Sequence, residues 1–151
     1  MVRSKRLEPI KKLAHNREQQ SAKDLGSAIA SQKAEEQKLN QLIQYHREYL
    51  SGMEAKVKLG ISGATLQSYH QFLSKIELAI SQQKEVLNQC EARIAANQNQ
   101  WQSDHGRHKA IGQVMQKMKS KEETEQRKKE ASFADEISTQ SFIRRQKIND
   151  S

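Results

Sequence analysis

From Leu66 onward the apolar residues of this chain recur at alternating steps of three and four. The stepping runs through Leu66, Tyr69, Leu73, Ile76, Ile80, Leu87, Cys90, Ile94, Trp101, Ile111, Met115 and Met118. Gln83, Asn97, Asp104 and His108 sit on the same steps and dilute it. A mean repeat of 3.5 residues keeps one narrow stripe turned toward one neighbouring helix, which is the pattern of a coiled-coil seam. Upstream lies a looser stripe: Leu7, Ile10, Leu13 or Ala14, then Ala22, Leu25, Ile29, Leu39, Ile43, Leu50, Met53 and Val57. Between the two stripes stands Lys58-Leu59-Gly60-Ile61-Ser62-Gly63, where paired glycines in a short polar stretch signal a turn. The pattern predicts an all-α fold, a long two-helix antiparallel coiled-coil hairpin with a C-terminal helical overhang. The expected elements are a first helix over 4–57, a loop over 58–63 and a second helix over 64–140, in one coiled-coil domain 1–151. The last stretch, 141–151, is expected to be disordered. Pro9 is compatible with the first helix, because a proline in the first turn loses no intrahelical bond.

Folding at the loop sets the pairing. Met53 falls near Tyr69 or His70, Ile43 near Ile80, Ile29 near Ile94 and Leu7 near Met115. A fully buried Leu or Ile contributes ~1.5–3 kcal/mol, and a two-helix seam buries less than that limit, so modest stability and a fraying open end are expected. Beyond Met118 the second helix has no partner. Lys119 to Lys129 is almost entirely charged or polar, and Phe133, Ile137, Phe142, Ile143 and Ile148 then reappear without a facing helix. That overhang reads as disordered or as a docking segment.

Composition narrows the function. Only 34% of residues are hydrophobic and 5% aromatic, against 29% charged, too little large apolar material for a layered core. The net charge of +8 and a pI near 9.6 bring nucleic acid and membrane surfaces into consideration. The single cysteine, Cys90, excludes an internal disulfide framework, and its place on the stripe makes it a packing residue. No apolar run approaches the ~20 residues of a membrane span. The basic start, Met1-Val2-Arg3-Ser4-Lys5-Arg6, has no hydrophobic stretch behind it, so it is not read as a secretory signal. A cytoplasmic protein is the default expectation.

No phosphate loop, nucleophile elbow or paired-carboxylate cleft is present in the sequence. Two helices do not enclose a water-excluding pocket, so a binding protein is expected and not an enzyme. His105 and His108, beside Asp104, have the i,i+3 spacing of a helical metal pair. With no third ligand evident, the preferred reading is a wet, weak stretch of seam. No catalytic, cofactor or metal site is therefore expected.

Basic residues gather at the open end of the expected hairpin. Arg3, Lys5, Arg6, Lys11 and Lys12 on the first helix would lie beside Lys117, Lys119 and Lys121 on the second, with Arg107 and Lys109 nearby. The concentration favours an acidic protein partner. Nucleic acid would satisfy the charge too, but the aromatic platforms that stack bases are absent from this set. A second surface is expected just after the loop, at the edge of the seam, where Phe72, Ala79 and Gln83, with Ile76 partly on it, follow helical spacing.

The blocks Ala34-Glu35-Glu36-Gln37 to Leu39, Leu42-Ile43-Gln44-Tyr45 to Glu48-Tyr49, Gly60-Ile61, Tyr69-His70-Gln71-Phe72-Leu73 and Glu77-Leu78-Ala79-Ile80 resemble the flagellar FliJ family. Their spacing matches without a gap, and the likeness runs from about Leu7 to Trp101. The resemblance implies a component of the flagellar type III export apparatus, an antiparallel coiled coil similar to the stalk subunit of rotary ATP synthases. It implies as partners the hexameric export ATPase, the cytoplasmic domain of the export-gate membrane protein, and substrate chaperones. On this chain the implied gate contact is Phe72, Ile76, Ala79 and Gln83, where Gln83 stands in place of the family's histidine. The implied ATPase contact is the basic tip: Arg3, Lys5, Arg6, Lys11, Lys12, Lys117, Lys119 and Lys121. The implied location is cytoplasmic and peripheral at the inner membrane of the flagellar base, with no direct membrane contact. Alternatives left open are the equivalent stalk of a virulence injectisome, a basic coiled-coil nucleic-acid binder, and a coil that dimerises through its first helix. The isolated protein is expected to be a monomer, with no cofactor and no nucleic acid bound.

Overall fold

The computed structural model describes residues 2–150, so Met1 and Ser151, the outer ends of the basic start and of the expected tail, lie outside the described residues. Three helices account for nearly all of the rest: α1 (Val2–Arg6), α2 (Glu8–Leu59) and α3 (Gly63–Asn149). The fold is an antiparallel helical hairpin, with no strand among the described residues. No described helix is long and apolar enough to cross a membrane.

The short breaks have local causes. Pro9 lacks an N–H and fixes its own φ, and just before it Leu7 leaves helical geometry, its N–H donating to the Ser4 carbonyl at 3.1 Å. The α2 register resumes with the Lys11 N–H on the Leu7 carbonyl at 2.8 Å. At the far end Gly60 takes φ of 90°, a left-handed conformation that glycine adopts without steric cost and that closes a helix C-terminus. Ser62 then caps α3: its Oγ accepts the Thr65 N–H at 3.2 Å. The connection is thus tighter than the expected 58–63, because Gly60 and Ser62 complete both caps.

The packing divides into two units. One holds Gln19–Ser103, that is, the loop and the helix on either side of it. The other holds the residues up to Glu18 together with those from Asp104 onward. We refer to them as the loop unit and the terminal unit.

In the loop unit the α3 stripe is the one the periodicity predicts: every step from Leu66 to Trp101 is buried or half-buried, with Leu73 at 5% and Ile76 at 6% exposure. On α2 a line of covered positions runs through Ser21, Leu25, Ala28, Gln32, Glu35, Leu39, Leu42, His46, Tyr49 and Met53, with Ser31, Ile43 and Leu50 half-buried beside it. That line is heptad-spaced, and half of it is small or polar. Ala22, Ile29 and Val57, expected on the stripe, are exposed instead. Hydrophobicity could not show a seam occupied by Ser, Ala, Gln, Glu and His. The register agrees with the expected pairing: His46 meets Glu77 at 3.2 Å, Gln83 reaches the Glu35 carbonyl at 2.9 Å, and Asn97 reaches the Asp24 carbonyl at 3.4 Å.

In the terminal unit the same stepping covers Ser4, Leu7, Lys11, Ala14 and Glu18 on one side and Asp104, His108, Ile111, Met115, Met118 and Glu122 on the other. Ile10 and Leu13 lie outside it, about half exposed. From Glu123 to Asp150 every residue is exposed, yet α3 continues to Asn149. The expected end at 140 and the expected disorder after it give way to helix, because the segment holds no Gly or Pro and is rich in Lys, Glu, Gln, Arg and Ala. Local bonds such as Gln126 to Glu130 at 3.3 Å support it.

Leu73→Ala, which empties a buried seam position, is expected to destabilise the protein by about 2–3 kcal/mol, toward the lower end of buried leucine truncations because the seam is thin. Ile29→Ser, at a position the pattern alone would place on the stripe, is expected to cost less than about 0.5 kcal/mol. Urea unfolding followed by helical circular dichroism measures both, and equal losses would contradict the seam.

Candidate functional site

The terminal unit carries the basic surface. Arg3, Lys5, Arg6 and Lys12 on the N-terminal side and Lys117, Lys119 and Lys121 on α3 are all exposed. Lys5 and Lys119 line one groove with Ser4, Glu8 and Met115, so the structure does bring the two basic sets together. Lys11 departs from the rest: it occupies a seam position and is half-buried. Ser4 anchors this region, donating its backbone N–H to Glu122 at 3.1 Å and its hydroxyl to the other carboxylate oxygen at 2.8 Å.

A second cluster in the same unit joins the helices through histidines. Glu18 is covered, its side chain 17% exposed, and its two oxygens take different imidazoles: Oε1 lies 2.9 Å from His105 Nδ1 and Oε2 lies 2.5 Å from His108 Nδ1. Two acceptor oxygens facing two ring nitrogens require each Nδ1 to carry its proton. His15 packs on His108 with ring centroids 5.2 Å apart and planes tilted by 58°. The hydrogen bond from His105, assisted by that from His108 and by the field of both rings, holds the Glu18 carboxyl below its usual range, against burial, which pushes it up. The histidine pair was legible in the sequence, whereas Glu18 and His15 were not singled out. The expected register that sets Ile29 against Ile94, continued along both helices, already places Glu18 opposite His105 and His15 opposite His108, so the signal lay in the register and not in a motif.

The expected surface after the loop is rearranged. Ile76 is buried at 6% exposure and Gln83 is turned inward, donating to the Glu35 carboxylate at 2.6 Å. That bond, with a smaller contribution from Lys38, holds the Glu35 carboxyl low while burial opposes the shift. The four residues therefore do not form one exposed stripe, because i,i+3 and i,i+4 steps from Ile76 run along the seam. Phe72 and Ala79 remain half-exposed at its edge. Phe72 belongs to an aromatic group, 4.5 Å from Tyr49 and 6.2 Å from Tyr45 between ring centroids. Tyr49 in turn lies 5.0 Å from Tyr69, and the Lys56 ammonium sits 5.4 Å above the Tyr69 ring. Tyr45 is 53% exposed, so this aromatic edge is open to solvent.

Comparison with known proteins adds the following. A family described as Flagellar FliJ protein matches residues 4–147. The Flagellar FliJ protein of Escherichia coli (strain K12) is 30% identical over 95 residues, 63% of this chain and 65% of that protein. The Flagellar FliJ protein of Salmonella typhi gives the same identity over the same lengths. The match thus spans somewhat under two thirds of the length of these curated relatives. No solved structure matches the chain.

The Glu18 arrangement has a pH signature. A carboxyl with a lower pKa folded than unfolded contributes stability above its unfolded value, here about 4.5, and that contribution is lost as pH falls through the folded value. The stability difference between wild type and Glu18→Gln is expected to be full near neutrality and to shrink progressively below about pH 4.5. Urea titrations across that range measure it, and a difference that grew on acidification would contradict the assignment.

Proposed function

The chain belongs to the flagellar FliJ family, and on that premise we propose that it serves the flagellar type III protein export apparatus as a stalk that binds and does not catalyse. Its terminal unit engages the hexameric export ATPase, promoting ring assembly and turnover. Its loop unit engages the cytoplasmic domain of the export-gate protein, and the same chain escorts substrate chaperones. It works in the cytoplasm, held at the inner face of the flagellar base through these partners.

The observation that carries this reading is the groove where Lys5 and Lys119 meet across two helices, flanked by the exposed Arg3, Arg6, Lys12, Lys117 and Lys121. Charge gathered from both helices onto one surface steers an acidic partner and speeds encounter. The gate contact is supported by the aromatic edge. Phe72, held from behind by Tyr49, is a rigid anchor with its other face available, the kind of side chain on which binding energy concentrates. Ala79 lies one heptad further along the same edge. Ile76 and Gln83 act from beneath, through packing and the bond to Glu35.

Two substitutions separate the contacts. Lys5→Glu with Lys119→Glu is expected to weaken stimulation of the export ATPase by roughly tenfold at low salt, with a smaller effect at high salt. Phe72→Asp is expected to weaken binding of the gate domain by roughly tenfold or more. Each variant should retain the other partner. Wild-type protein that failed to raise ATPase turnover or the hexamer fraction would remove the stalk role.

A further inference from the structure

The histidine cluster of the terminal unit has a feature that neither the export reading nor the cross-helix hydrogen bonds require. One ligand atom each from His15, Glu18 and His108 lies within 4.8 Å of the others. Two ligands come from α2 at i,i+3 spacing and the third from α3. Two imidazoles and a carboxylate are the donor set that borderline divalent ions such as zinc, cobalt and nickel take, and hard ions such as magnesium and calcium do not. We propose that His15, Glu18 and His108 form a binding site for one divalent transition-metal ion of the zinc class, which clasps the two helices of the terminal unit together.

The distances agree with a tetrahedral ion after small side-chain shifts. Metal–ligand bonds of ~2.0–2.2 Å place neighbouring ligand atoms about 3.3 Å apart and the centres of two bound imidazoles roughly 5 Å apart. The His15 and His108 rings already stand 5.2 Å apart between centroids, tilted by 58°. Glu18 Oε2 and His108 Nδ1, now 2.5 Å apart in a hydrogen bond, would open by under about 1 Å as the metal replaces the proton between them. His105 stays outside the coordination sphere. Its Nδ1, 2.9 Å from Glu18 Oε1, fixes the carboxylate so that the other oxygen faces the ion, the role that hydrogen-bond partners of metal ligands commonly play.

Access and charge are also consistent. His15 is exposed and borders, with His108, an open groove lined by Glu8, Pro9, Lys11 and Lys12. Water can complete the coordination from that side. The Lys11 and Lys12 ammoniums repel a cation, but they are carried on flexible stems at the rim of the groove, and the Glu8 carboxylate beside them offsets part of their charge. The proposal rests on this geometry alone and stands or falls separately from the export reading.

The test uses untagged full-length protein freed of metal with a chelator. Calorimetric titration with Zn2+ is expected to show one ion per chain, and Co2+ to give the intense visible bands of four-coordinate cobalt. Thermal unfolding is expected to rise by roughly 5 °C at a hundredfold excess of Zn2+ over its Kd. His15→Ala is the decisive variant, because His15 is exposed and the Glu18 bonds to His105 and His108 do not depend on it. It should keep the metal-free melting temperature and weaken Zn2+ at least tenfold. His46→Ala, at the other cross-helix histidine, should bind Zn2+ as wild type does. Absence of binding, equal binding by His15→Ala, or one ion shared between two chains would each overturn the proposal.

Discussion

A helix in a two-helix hairpin has one neighbour, so it buries one stripe and everything else meets water. In this chain that stripe is heptad-spaced on both helices, and on α2 half of it is small or polar. The seam therefore cannot be held by apolar burial alone. Each polar residue placed in it needs a partner across it, since an unsatisfied buried donor or acceptor costs about 1–3 kcal/mol. The partners are present: Glu35 for Gln83, the Asp24 carbonyl for Asn97, Glu18 for His105 and His108, and Glu122 for Ser4. Among the described residues no buried side-chain nitrogen or oxygen lacks a hydrogen bond.

These polar layers select register more than they add stability. Ala14, Ser21 and Ala28 leave the helices free to approach, and a seam of small side chains by itself would tolerate slippage. In the loop unit, displacing one helix by a turn would strip Gln83 from Glu35, and in the terminal unit it would strip both histidines from Glu18. Polar pairs at spaced seam positions thus do here what a buried asparagine does in a coiled coil: they penalise the alternatives.

The same arrangement decides what is left for partners. With small and polar residues in the seam, large apolar ones are displaced outward: Ile10, Leu13, Tyr45, Leu78 and the apolar residues of the overhang are all substantially exposed. In the loop unit the displaced residues include aromatics braced against one another, which makes a stiff edge for docking. In the terminal unit the exposed surface is cationic, and the histidines sit where the two helices face each other. Partner binding and helix pairing thus draw on one resource, the residues in and just beside a narrow seam.

Length, the glycines after Lys58 and the period of the α3 stripe were enough to determine two antiparallel helices, the position of the turn and the register of the helices on either side of it. These are local or periodic features, and apolar residues at 3.5-residue intervals express them directly. The α2 seam was only partly legible. Ala, Ser, Gln and Glu carry no hydrophobic signal, so Ile10 and Ile29 read as core when they are surface. The surface after the loop was ambiguous in sequence, since Ile76 and Gln83 fall both on the seam steps and on the expected docking face, and the facing helix decides in favour of the seam. The cluster of His15, Glu18, His105 and His108 depended on tertiary structure altogether. The spacing of His105 and His108 was visible on α3, but Glu18 and His15 were not, and the group acquires chemistry only when residues far apart in sequence come within hydrogen-bonding reach.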